Sequence, residues 1–115
     1  MTKTSILTEL MTVIAARKAS AAAEKSYVAS LMKGGLPKIT AKISEEAAEV
    51  VEAATEPGAS GDVHLVKEVA DLVFHAMVLL GYRDLHWNQV ESELGRRFGV
   101  SGLDEKASRT QKPET

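Results

Sequence analysis

With 115 residues, no cysteine and only 4% aromatic side chains, the chain is sized for one small globular domain and holds neither a disulfide framework nor a thiolate metal site. A formal charge of -2 and a sequence pI ≈ 5.9 exclude a global positive field of the kind that draws a protein to nucleic acid. A domain of this length hides about 65–70% of the surface its unfolded chain exposes, so pairing with a second copy is expected to help it.

Apolar residues recur at helical spacing almost throughout, and strand-like alternation is absent, so the fold class is all-α with about five helices. The first runs from about Ser5 to Ala23. A short second helix covers Ser26 to Lys33, opened by Ser26 as a cap and stopped by Gly34-Gly35. The third begins near Pro37, which a first helical turn tolerates, and continues to Glu56 before Pro57-Gly58. The fourth starts after Asp62 and reaches Leu80, with Gly81 as its stop. The fifth spans Trp87 to Phe98. One domain over residues 1–110 with a disordered tail, 111–115, is the expected organisation. The apolar stretch from Leu72 to Leu80 is interrupted by His75 and too short to cross a bilayer. The residues after Met1 lead to Glu9 rather than into an apolar signal core, so a cytoplasmic protein with no membrane partner is expected.

The fourth helix is unusual. From Val69 to Tyr82 its one formally charged side chain is Asp71, so protein should surround most of it. Ionised carboxylates there are costly unless paired or bound to a cation. The densest acidic run lies on the third helix, where Lys38, Lys42, Glu45, Glu49 and Glu52 form one stripe and Glu46 borders the apolar face. Glu46 and Glu49, spaced i and i+3, can meet Glu68 and Asp71, which have the same spacing. Four converging carboxylates repel one another in a low-dielectric site, and a hard divalent cation removes the conflict. All-oxygen ligation favours Mg²⁺, with Mn²⁺ as a substitute, and leaves positions for phosphate oxygens. Lys38 and Lys42 are placed to hold further phosphates. Against this stands the plain alternative that a Lys/Glu stripe is a solvated face supported by i,i+4 pairs.

Glu45-Glu46-x-x-Glu49 followed by Glu68-x-x-Asp71 resembles the signature of the all-α nucleoside triphosphate pyrophosphohydrolases of the MazG-type superfamily. The stretches Val13 to Lys18, Ser26 to Leu31, Gly35 to Ile39, Ala70 to His75 and Arg96 to Arg109 are similar to its histidine-biosynthesis branch, the phosphoribosyl-ATP pyrophosphatase family. The resemblance implies a MazG-like helical bundle completed by homodimerisation and a small-molecule nucleotide substrate. It implies Mg²⁺-dependent hydrolysis of phosphoribosyl-ATP to phosphoribosyl-AMP and pyrophosphate. Carried over position by position, Glu46, Glu49, Glu68 and Asp71 match the metal-binding carboxylates. Glu45 belongs to the same motif and is assigned with Glu46 to catalysis, either orienting or deprotonating the attacking water or else pairing with Lys42. Two other readings stand beside this one: a house-cleaning nucleoside triphosphate pyrophosphatase, and a non-catalytic helical dimerisation module.

The remaining polar residues carry weaker claims. His75 reads as a core histidine satisfied by a carboxylate, Tyr27 as a packing residue with adenine stacking as its functional alternative, and Ser26 as a cap. Arg17, Lys18, Lys25, Lys33, Arg96 and Arg97 read as surface charges by default. His64 and His86 fall at predicted helix ends, where no function is needed. No glycine-rich phosphate loop and no nucleophile elbow occur, so nucleotide binding must rest on metal and side chains.

Overall fold

The computed structural model describes residues 5–23 and 25–99, which form α1 (Ile6–Ala19), α2 (Tyr27–Ala53), α3 (Gly58–Tyr82) and α4 (Trp87–Phe98). No strand occurs among the described residues, and the fold is all-α. The terminal stretch from Val100 onward, including the expected tail 111–115, lies outside them. The chain divides into two units: Met1–Leu85 contains α1, α2 and α3, and His86–Thr115 contains α4.

Five expected helices become four because helical turns resume at once beyond Gly35, so the second and third are joined into α2. Gly35 itself is not helical: its φ of 72° and ψ of -164° lie in a region open essentially to glycine alone. Pro37 follows in the first turn after this kink, where its missing N–H leaves no helical bond unmade. Ser26 caps α2 as expected, its hydroxyl accepting from the Ala29 N–H at 3.1 Å. Ser5 caps α1 in the same way through the Thr8 N–H.

Four helix ends depart from the sequence reading, one of them the end of α3, which runs through the expected stop at Gly81 to Tyr82. α1 stops at Ala19 rather than Ala23, where Ser20 closes the last turn with its backbone N–H and its hydroxyl both donating to the Ala16 carbonyl. α2 ends at Ala53 and passes through a short turn. α3 starts at Gly58 instead of after Asp62, because extended Pro57 and Gly58 at φ 78° turn the chain without any intervening loop. Asp62 is then an exposed residue inside the helix rather than its cap.

α3 packs along α2, and α1 lies against both. Their core centres on Ile14, Leu31, Ile39, Met77 and Val78, all fully buried. Each such side chain stabilises the fold by roughly 1.5–3 kcal/mol. α1 approaches α3 closely at Gly81, where an added Cβ would come within 2.7 Å of Ile14 Cγ2. Lys18 fastens the same end, its ammonium donating to the Gly81 and Tyr82 carbonyls and to Asp84 at 3.3, 2.8 and 2.9 Å. That places a cation on the negative end of the helix dipole and satisfies carbonyls that α3 leaves open. Of the Val69–Tyr82 stretch expected to be surrounded by protein, Val69 and Ala70 are exposed, whereas every residue from Asp71 to Tyr82 is at least partly buried.

In the second unit, α4 opens with His86, whose ring accepts from the Asn88 N–H at 3.0 Å while Gln89 accepts from the His86 N–H at 2.8 Å. Gly99 ends the helix in the left-handed conformation. Arg96 grips Glu93 at 3.1 and 2.7 Å, and Arg97 approaches the same carboxylate at 3.6 Å.

Candidate functional site

Glu46 is the one acidic side chain of α2 that turns inward, retaining 7% of its accessible surface, whereas Glu45, Glu49 and Glu52 are exposed. The difference follows from the helical phase, which sets Glu46 against the apolar face while its neighbours continue the lysine stripe. Glu46 Oε1 is buried with no hydrogen-bond partner. Burial, most strongly, and then the negative charge of Asp71 push its carboxyl above the usual range; His75 and Lys42 pull downward, and Glu68 adds the smallest push upward.

From α3, Glu68 and Asp71 come to meet it, both half-buried. Oxygen atoms of Glu46, Glu68 and Asp71 all lie within 4.8 Å of one another. The structure thus joins three of the four expected carboxylates, while Glu49 is an exposed residue outside that group. An orphaned buried carboxylate oxygen beside two further carboxylates is unfavourable without a cation. The donor set is all oxygen, so the residues fit a hard ion such as Mg²⁺ or Mn²⁺.

The lysine stripe is engaged. Lys42 donates to Glu45 Oε1 at 2.9 Å, and that bond raises the ammonium pKa. This is the pairing that was one of the two roles expected of Glu45. Lys38 reaches back across the Gly35 kink to the Ser30 hydroxyl at 3.2 Å and the Ser30 carbonyl at 3.5 Å.

Two histidines frame the acidic group. His75 is buried, and its Nδ1–H donates to the Asp71 backbone carbonyl at 2.8 Å rather than to a carboxylate. A carbonyl only accepts, so in the neutral ring Nε2 is free to accept the Tyr27 hydroxyl proton across 2.7 Å. The Tyr27 ring also stacks on Phe74 at 6.1 Å. Burial raises the Tyr27 pKa; the charges of Glu46, Glu45 and Asp71 add to the rise, and Lys42 opposes it, so the phenol belongs to the electrostatic neighbourhood of the site.

His64 was missed by the sequence reading. Its Nε2 meets Glu68 Oε2 at 3.0 Å and its Nδ1 meets Glu56 Oε1 at 2.8 Å. These contacts raise its pKa, the Glu56 bond most strongly. The signal was the i,i+4 spacing from His64 to Glu68, which acquires meaning only when the helix already runs through residue 64. A helix starting after Asp62 already contains that pair, but His64 reads there as a helix-end residue; the Glu56 contact depends on the turn at Pro57-Gly58.

The family model of phosphoribosyl-ATP pyrophosphohydrolase matches residues 7–98. A phosphoribosyl-ATP pyrophosphatase of Rhodopirellula baltica is 47% identical over 95% of this chain and 90% of its own length. Proteins of the same name from Pelobacter propionicus and Neisseria meningitidis are 50% and 49% identical, over 91% and 93% of this chain and 94% and 96% of theirs.

Proposed function

The chain belongs to the phosphoribosyl-ATP pyrophosphohydrolase family, and from that premise we propose how it carries out hydrolysis of phosphoribosyl-ATP to phosphoribosyl-AMP and pyrophosphate in histidine biosynthesis. These products require cleavage between the α- and β-phosphates. The observation that carries the reading is the buried, unpartnered Glu46 oxygen beside Glu68 and Asp71.

Glu46, Glu68 and Asp71, with Glu49 one turn along α2, would hold Mg²⁺, for which Mn²⁺ can substitute. When bound, such an ion neutralises phosphate charge and makes water more acidic. Glu45, steadied by Lys42, orients the attacking water and receives its proton. Lys38 and Lys42 take up phosphate charge as it moves toward the leaving pyrophosphate. The nucleotide would be met by side chains together with the ion, in keeping with the lack of a glycine-rich loop.

We place the enzyme in the cytoplasm as a homodimer. No helix among the described residues is long and apolar enough to cross a membrane. A dimer is supported by Val51, Val63 and Val66, which are 69%, 69% and 70% exposed on α2 and α3, an arrangement a second copy would cover. The reaction is tested by following pyrophosphate release from phosphoribosyl-ATP and from ATP, each with Mg²⁺ and with a chelator. Turnover confined to phosphoribosyl-ATP with Mg²⁺ is expected. Equal rates on ATP would favour the house-cleaning activity, and chelator-resistant turnover would remove the metal assignment.

A further inference from the structure

The hydrogen bonds of His64 form a chain from solvent to the acidic group. Glu56, in the turn between α2 and α3, has a side chain 42% exposed; that of His64 is 37% exposed, and that of Glu68 is 12% exposed. Both imidazole nitrogens face carboxylate oxygens, at 2.8 Å toward Glu56 and 3.0 Å toward Glu68. Glu68 is at the same time a member of the group that closes within 4.8 Å with Glu46 and Asp71.

We infer that His64 is a positioning residue for Glu68: anchored by Glu56, its ring grips one oxygen of that carboxylate and leaves the other presented to a divalent cation shared with Glu46 and Asp71. The inference rests on the metal-binding reading given above. A glutamate side chain has three rotatable bonds, and ordering it only when the ion arrives would cost conformational entropy at that moment. His64 orders it beforehand. As a mere exposed ion pair the contact would matter little, since such pairs contribute only slightly to stability. Hydrogen-bond partners of metal ligands behave differently, their removal weakening metal affinity by about 10–100-fold.

The experiment is Mn²⁺ binding to the full chain without nucleotide, by calorimetry or by the loss of free-ion resonance. It compares the wild type, His64→Ala, His64→Gln, Glu68→Gln and the His64→Ala/Glu68→Gln double variant, with folding of each checked by circular dichroism. His64→Ala is expected to raise the Mn²⁺ dissociation constant about tenfold or more, and His64→Gln, whose amide can still donate to Glu68, to recover part of that loss. Within the Glu68→Gln background the alanine change should add little. If His64→Ala fails to fold, His64→Gln carries the comparison, with a several-fold loss expected in the wild-type background alone. Unchanged affinity in a folded His64 variant, or an equal loss in both backgrounds, overturns the inference while leaving the metal site standing. Failure of the wild type to bind Mn²⁺ overturns the metal reading and this inference together.

Discussion

The two ends of α3 are built on opposite plans. Toward its start, apolar Val63, Val66 and Val69 are 69%, 70% and 41% exposed, while Glu68 and Asp71 are half-buried. Toward its finish, Met77 and Val78 are fully buried, Gly81 admits Ile14, and Lys18 secures the terminal carbonyls. One end departs from the usual rule of apolar inside and charged outside, and the other obeys it. Such a division lets cohesion come from the obedient end and leaves the other, where ionisable groups are held in costly surroundings, for the proposed chemistry.

The sharpest way to break this comparison is Glu46→Gln. Loss of one carboxylate from the proposed metal group should lower kcat/KM about 10³-fold, equivalent to several kcal/mol of transition-state stabilisation, with the far-ultraviolet spectrum retained. Near-normal turnover would sever the acidic group from catalysis. Met77→Ala tests the other end. A cavity in the packed half should lower unfolding free energy by about 2–5 kcal/mol in urea melts while leaving the Mn²⁺ dissociation constant within a few-fold of wild type.

A pH titration of stability without divalent cations sharpens the contrast further. The Glu46 carboxyl is raised, so between its ordinary value and its raised one the folded state retains a proton that the unfolded chain releases. Stability should therefore fall as pH rises through that window, and the penalty is complete above the raised value. Glu46→Gln should flatten this part of the curve; a profile identical to wild type would mean that Glu46 is not its source. Tyr27→Phe is the smallest perturbation. Removing the hydroxyl bond to His75 should cost about 0.5–1.5 kcal/mol, and it should leave Mn²⁺ affinity unchanged if Glu46, Glu68 and Asp71 hold the ion as proposed.

Much of this was legible in the sequence because the helical period is a strong local constraint. The inward turn of Glu46 and the approach of Glu68 and Asp71 follow from counting residues around two rods. What escaped depended on where a rod begins. Pro57-Gly58 reads as a stop for the preceding helix, and Asp62 reads as a cap for the next; the observed start at Gly58 has no side-chain cap to announce it. That boundary hid the approach of Glu56 to His64. The partners of His75 were hidden for another reason. Its donation to the Asp71 carbonyl is a backbone matter that residue type does not reveal, and Tyr27 comes from the far arm of α2.

That far arm makes Gly35 more than a helix irregularity. In a straight rod, at about 1.5 Å of rise per residue, Tyr27 and Glu46 would stand nearly 30 Å apart. Instead the phenol senses the Glu46 charge and bonds the histidine below Asp71. The kink at Gly35 lets one helix supply both the buried acid and the aromatic ring that feels its charge. A change of angle at that joint would shift Tyr27 relative to Glu46 without altering either residue.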